Sequence, residues 1–195
     1  MAEPTGVKRK LAVILAADAE GYTWLMHEAE EPTLQTLTEY REIIDGLIAR
    51  HDGRIFSTAG DSVVAEFDSA VEAMRSAIAI QEKLAARNAE LPEERKVRFR
   101  IGINLGDVMA KGDDLFGDAV NVAARLEGLA EPGGICVSGD VYNQVKNKVS
   151  LSFEDIGPQQ VKNVAEPVPG YRIVPDSGTT STSLDVIWGM SAERE

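Results

Sequence analysis

The sequence predicts an α+β fold, an antiparallel-rich sheet with helices packed on it. Two observations carry that expectation. Apolar segments follow one another in the order strand, helix, strand, strand, helix, strand, and then further mixed elements. The two adjacent strands in that order are joined by a short glycine turn, the mark of an antiparallel hairpin.

Each element has its own signal. Residues 11–17 are a continuous apolar run ending at Asp18, which reads as a strand buried on both faces, and Gly21 then breaks it. Residues 33–50 carry Leu34, Leu37, Ile44, Leu47 and Ile48 at helical spacing, and His51-Asp52-Gly53 ends that helix with a glycine stop. Residues 54–58 and 62–67 read as short strands around the loop Ala59-Gly60-Asp61. A second long helix is predicted over 69–88, with Val71, Met74, Ile78 and Ala85 on one side and Pro92 closing it. Val97, Phe99, Ile101 and Ile103 alternate, predicting a strand over 97–105 that turns at Gly106-Asp107 and continues over 108–111. Gly117 opens a third helix, which Pro132-Gly133-Gly134 terminates. A strand over 135–138, a short helix over 140–146 and closing strands over 151–156 and 171–174 follow. This order is related to the ferredoxin-like plan. The chain divides into an N-terminal arm (1–10), one folded domain (11–174) and a polar tail (175–195) of linker composition.

Composition narrows the function classes. A length of 195 residues suits one domain that buries its own core. The formal net charge of −12 makes nucleic acid or an anionic membrane a poor partner, whereas an anionic triphosphate is accommodated if a bound cation reverses the local sign. Cys136 stands alone in an apolar run, which excludes a disulfide within the chain, reads as a core thiol and points to a reducing, cytoplasmic setting. No apolar stretch approaches the ~20 residues needed to span a bilayer, and no signal peptide is evident, although the domain could belong to a longer chain.

The chemistry begins with carboxylates. Asp18 ends a buried strand and Asp61 sits at a hairpin tip. Taken singly, each is also ordinary turn chemistry. Were the strand and the hairpin neighbours in the sheet, the pair could hold Mg2+, which takes one or two carboxylates plus phosphate oxygens and water. Ala19-Glu20-Gly21-Tyr22-Thr23 then turns toward a helix whose first amides favour phosphate, with Gly21 allowing close approach. On the third helix, Asn121 and Arg125 are four residues apart and share a face flanked by Gly117 and Gly128. They could neutralise charge on a phosphate, or Arg125 could simply pair with Glu127 or Glu131 on a solvated face.

In register, these segments resemble class III adenylate and guanylate cyclases. Leu15-Ala-Ala-Asp18-Ala-Glu-Gly21-Tyr-Thr23 resembles their first metal motif, and Thr58-Ala-Gly60-Asp61-Ser-Val-Val-Ala-Glu-Phe67 their second. Arg100-Ile-Gly-Ile-Asn-Leu-Gly106 resembles the strand before the base-selecting loop, and Asp114-Leu-Phe-Gly117-Asp-Ala-Val-Asn121-Val-Ala-Ala-Arg125 the helix that stabilises the transition state. The resemblance runs in order from about residue 8 to 174.

That resemblance implies a nucleotidyl cyclase making 3′,5′-cyclic AMP and pyrophosphate from ATP. Asp18, Asp61 and the Ala19 carbonyl would hold two Mg2+ or Mn2+. Asn121 would orient the ribose, Arg125 would stabilise the α-phosphoryl charge, and Lys162 would grip the terminal phosphates. The metal residues and the Asn/Arg pair would come from different copies, so a homodimer with composite sites is implied. Two positions depart from the pattern. Ser57 stands where such adenylate cyclases carry a base-reading lysine, while its partner position, Asp114, matches. Asp107 stands where some members have an arginine. Ser57 leaves open a preference for GTP or a pyrimidine triphosphate, or a catalytically weak nucleotide-binding module. An acidic interaction domain without catalysis is the remaining alternative.

Overall fold

The computed structural model describes residues 6–174. β1 (Lys8–Ala19) lies within the sheet, antiparallel to β3 (Ser62–Phe67) on one side and to β4 (Phe99–Lys111) on the other. Its alternate residues enter two different cores: Val13, Leu15, Ala17 and Ala19 one, Ala12, Ile14 and Ala16 the other. A strand covered on both faces has no need of polar residues on either, hence the unbroken apolar run. Seven strands of the described sheet follow the order β2 (Arg54–Ala59), β3, β1, β4, β6 (Ile135–Ser138), β8 (Val168–Val174) and β7 (Ser152–Gln159). A further short strand, β5 (Asp114–Phe116), pairs with β4 off this path. β4 and β6 run parallel, and every other pair is antiparallel. The expected α+β class is what the chain adopts.

One face is covered by α2 (Glu30–Arg50) and α3 (Ala70–Asn88), joined by α1 (Tyr22–Glu28) and α5 (Gly139–Val145). The other is covered by α4 (Asp118–Leu129) and β5, through Leu115, Ala119 and Ala123. Local chemistry sets the helix ends. The Ser69 hydroxyl accepts from the Glu72 amide at 3.2 Å and caps α3. Cys136 is fully buried, as expected, and burial pushes its thiol up to about 11. Among the described residues, no helix is long and apolar enough to cross a membrane.

Several sequence expectations need correction. β1 starts at Lys8, inside the stretch read as an arm, and includes Asp18 and Ala19. At the end of α2 the left-handed residue is Asp52 (φ 62), not Gly53. Gly53 is required for a different reason, since a Cβ there would run into the Phe67 ring and Ile48. No turn occurs at Gly106-Asp107, because β4 continues through both, paired with Ala12 and Leu11. Residues 30–32 already belong to α2, β7 starts one residue later and ends three residues later than predicted, and β8 starts three residues earlier. The polar-tail reading of residues 175–195, like residues 1–5 of the arm, lies outside the described residues.

The core also contains a polar lock. The Tyr40 hydroxyl, 1% exposed, donates to Asn88 Oδ1 at 2.6 Å. Asn88 Nδ2 donates to the Val97 carbonyl at 2.9 Å, and Asn88 Oδ1 accepts from the Val97 amide at 3.3 Å. Asn88 thus ties α2, the end of α3 and the approach to β4. Asn88→Ala strands three buried polar partners and is expected to cost about 3 kcal/mol, a fall in Tm of ~6–12 °C by thermal unfolding.

Candidate active site

The pairing of β1 with β3 brings the two aspartates together. Ala17 faces Val63, so the β2–β3 turn ends beside the end of β1. Gly60 (φ 60) and Asp61 form that turn, with Ala59 opposite Ser62, and Gly60 takes the left-handed conformation that a two-residue hairpin requires. Asp61 Oδ2 accepts from the Ala19 amide at 3.1 Å, which locks the turn to the strand. Asp61 and Asp18 are in direct contact. Burial and then Asp61, through a shared hydrogen bond and its charge, push Asp18 up to about 7. Asp18 Oδ1 is buried and has no hydrogen-bond partner among the described residues.

Two carboxylates side by side, one with an orphaned oxygen, concentrate oxygen donors and negative charge at one point. This donor set fits a hard divalent cation. Among the described residues no cluster of three or more Asp, Glu, His or Cys side chains could hold a metal by itself. A cation here would therefore take its remaining oxygens from substrate and water, the usual habit of Mg2+.

The chain then turns at Gly21, whose φ of 67 suits glycine, into the seven-residue α1. The Leu25 amide donates to the Gly21 carbonyl at 3.0 Å. The amides of Tyr22 and Thr23 lie in the first turn, where a helix provides no internal acceptor. Gly21 and Thr23 are exposed and Tyr22 is partly buried.

Behind the pair stands an ion pair that sequence reasoning missed. Asp18 is opposite Arg100 on β4, and Arg100 Nε lies 3.2 Å from Glu127 Oε1 on α4. Burial raises Glu127 to about 7, against the pull of Arg100 and with a further push from Asp61. Glu127 is thus part of the electrostatic surroundings of the aspartates and does not pair with Arg125.

α4, which carries Asn121 and Arg125, rests on alternate residues of β4 that share one face. At Gly102 an added Cβ would run into the Ala123 carbonyl and the Glu127 amide. Asn104 Nδ2 donates to the Ala119 carbonyl at 3.1 Å, and at Gly106 a Cβ would stand 2.8 Å from that of Ala119. Gly106 is therefore a seat for α4 and not a turn. Gly102→Ala is expected to lift α4, lowering Tm by ~10 °C and reducing turnover, as read by thermal unfolding and a product assay.

The helix buries Val122, Ala123 and Leu126 and exposes Asn121 and Arg125. Arg125 makes no ion pair among the described residues, so the bland alternative of a surface salt bridge does not describe it. Neither Asn121 nor Arg125 is bonded to Asp18 or Asp61. Lys162 is exposed in the loop between β7 and β8, separated from β1 in the sheet order by β4 and β6. Ser57 is exposed on β2 and Asp114 is exposed at the start of β5. Asp107 points away into an exposed 2.6 Å ion pair with Arg9, which removes the repulsion expected had it faced phosphate. One chain therefore brings Asp18, Ala19 and Asp61 together before the Gly21–Thr23 turn, exposes Asn121 and Arg125 on α4, and carries Lys162 beyond β4 and β6.

Comparison with known proteins identifies the family. A family described as the adenylate and guanylate cyclase catalytic domain matches residues 8–174. A Rhizobium meliloti (strain 1021) protein named "Putative adenylate cyclase 3" is 46% identical over 163 residues, covering 83% of this chain and 28% of its own length. The chain thus spans less than a third of that relative. Among solved structures, an adenylate/guanylate cyclase/hydrolase from Silicibacter pomeroyi superposes with a TM-score of 0.82 at 45% identity, covering 88% of this chain and all of its own. The adenylyl cyclase CyaB from P. aeruginosa superposes with a TM-score of 0.76 at 26% identity, covering 90% and 100%.

Proposed function

Because this chain belongs to the adenylate and guanylate cyclase catalytic-domain family, we propose that it converts ATP to 3′,5′-cyclic AMP and pyrophosphate as a homodimer. The observation that carries the reading is the contact between Asp18 and Asp61, with Asp18 Oδ1 left without a partner. The names of the relatives favour ATP as substrate.

In the reaction the ribose 3′ oxygen forms a bond to the α-phosphorus, the bond to the β-phosphate oxygen breaks, and the 3′ hydroxyl loses its proton. Asp18, Asp61 and the Ala19 carbonyl would hold two Mg2+ or Mn2+. Bound there, the ions would favour loss of that proton and neutralise the departing pyrophosphate. The Tyr22 and Thr23 amides would donate to phosphate oxygens. Arg125 supplies a fixed fork of donors to the α-phosphoryl group, and Asn121, one turn away, hydrogen-bonds the ribose. Lys162 contacts the terminal phosphates. Asn121 and Arg125 are exposed on α4 without bonds to the Asp pair, which supports a complete site that combines two copies related by a two-fold axis.

Asp114 and Ser57 face the base. A serine hydroxyl both donates and accepts, whereas lysine only donates, so a second reading with GTP or a pyrimidine triphosphate as a competing substrate is kept. Incubation of purified protein with each of the four triphosphates and Mn2+ tests both. Cyclic AMP and pyrophosphate in equal amounts from ATP are expected. No cyclic product from any triphosphate would refute the cyclase reading, and preference for another base would refute the substrate.

A further inference from the structure

Ser57 is on β2, the outermost strand of the sheet, and Asp114 opens β5, which pairs with β4. Two strands, β3 and β1, separate β2 from β4 in the sheet order. The spacing between the two base-facing side chains is therefore not set by ladder hydrogen bonds, and an edge strand is held on one side only.

Two features make up for this. The first is a bulge. Arg54 is opposite Glu66 and Ser57 is opposite Val64, with the register shift falling between Ile55 and Ser57. In a regular strand, residues three apart point to opposite faces. Here the extra residue, Phe56, puts Arg54 and Ser57 on one face, because their partners Glu66 and Val64 are two apart. That face is the one bearing β5, since Val64 and Phe56 pack against the cluster containing Leu115. Bulges of this kind re-aim side chains.

The second is a clamp. Arg54 Nε and one terminal nitrogen hold Glu66 Oε1 at 2.7 and 2.6 Å, and the other terminal nitrogen donates to the Asp113 carbonyl at 2.9 Å. Lys10 Nζ holds the second Glu66 oxygen at 2.7 Å. One rigid guanidinium thus joins a point three residues before Ser57 to the residue just before Asp114.

We infer that Arg54 is a positioning residue for base selection, fixing the distance between Ser57 and Asp114 and so the preference among purine triphosphates. The inference rests on the base-facing assignment of those two residues. Lysine at position 54 retains the charge toward Glu66 but cannot also span to the Asp113 carbonyl.

The test measures kcat/KM for ATP and GTP with Mn2+ in wild type, Arg54→Lys, Arg54→Met and Asp114→Ala, together with Tm. Equilibrium binding of 3′-deoxy-ATP and 3′-deoxy-GTP gives the same ratio without turnover. Both Arg54 variants are expected to shift the ATP:GTP ratio by about tenfold, through KM, with kcat nearly unchanged. Only Arg54→Met should lose Tm. A wild-type ratio in Arg54→Lys beside a changed ratio in Asp114→Ala would overturn the clamp alone. Equal losses of kcat for both triphosphates in the Arg54 variants would also overturn it. An unchanged ratio in Asp114→Ala would remove the base-facing assignment and the clamp's role with it.

Discussion

Asp18→Asn is expected to abolish cyclic nucleotide formation, by ~10³-fold or more, while making the metal-free protein more stable at pH 8. Both effects come from one contact. Asp18 is pushed up to about 7 by burial and by Asp61, against about 3.9 in an unfolded chain. A carboxyl whose pKa is higher folded than unfolded binds more protons in the folded state across that interval. The metal-free protein therefore loses stability as pH rises from about 4 to about 7, and stays destabilised above it. Asparagine removes that loss, and because water reaches part of the site the gain should be only a few °C in Tm. Glu127, also raised to about 7, adds a slope of the same sign, and because its charge acts on Asp18 the difference between the two proteins includes that coupling. Adding Mn2+ should raise Tm in wild type and much less in the variant. Thermal unfolding from pH 4 to 9, with and without Mn2+, checks the stability half. A variant that still cyclises ATP at more than about a tenth of the wild-type rate would remove Asp18 from the metal set.

Arg125→Ala should be inert for a different reason, losing ~10²–10³-fold by withdrawing charge from the α-phosphoryl group. Mixed with Asp18→Asn, it should regain activity. If the Asp pair of one copy meets Arg125 of the other, each mixed dimer has one site with both defects and one with neither. Random exchange makes half of the dimers mixed, so an equimolar mixture should recover about a quarter of the wild-type rate. The exposed face of α4, with Arg125 unpaired, and the position of Lys162 away from β1 motivate this expectation. An inert mixture, in which size-exclusion chromatography still shows dimers, would place all catalytic groups within one copy.

What could be read from the sequence was whatever depends on neighbours in the chain. The run over 11–17 announced a strand covered on both faces, the glycine before Asp61 announced a hairpin, and the apolar spacing from Val71 to Ala85 announced a helix. The nearness of Asp18 and Asp61 followed once the strand and the hairpin were taken as adjacent. What was hidden depends on approaches between distant segments. Gly106 resembles a turn residue, yet its lack of a side chain is used by α4 lying on the strand. Glu127 looked like one more surface acid of a helix, and it is buried because Gly102 lets α4 come down beside Arg100. The bulge at Phe56 and the reach of Arg54 to Asp113, 59 residues away, leave no periodic trace.

The seating of α4 on Gly102 limits how the domain can be regulated. At Gly102 main chain lies against main chain, so no side chain there could change rotamer to let the helix slide. An upstream signal would have to carry helix and strand as one rigid body. If two copies form the proposed dimer, control would then act by turning one copy against the other, and not by adjusting one arginine at a time.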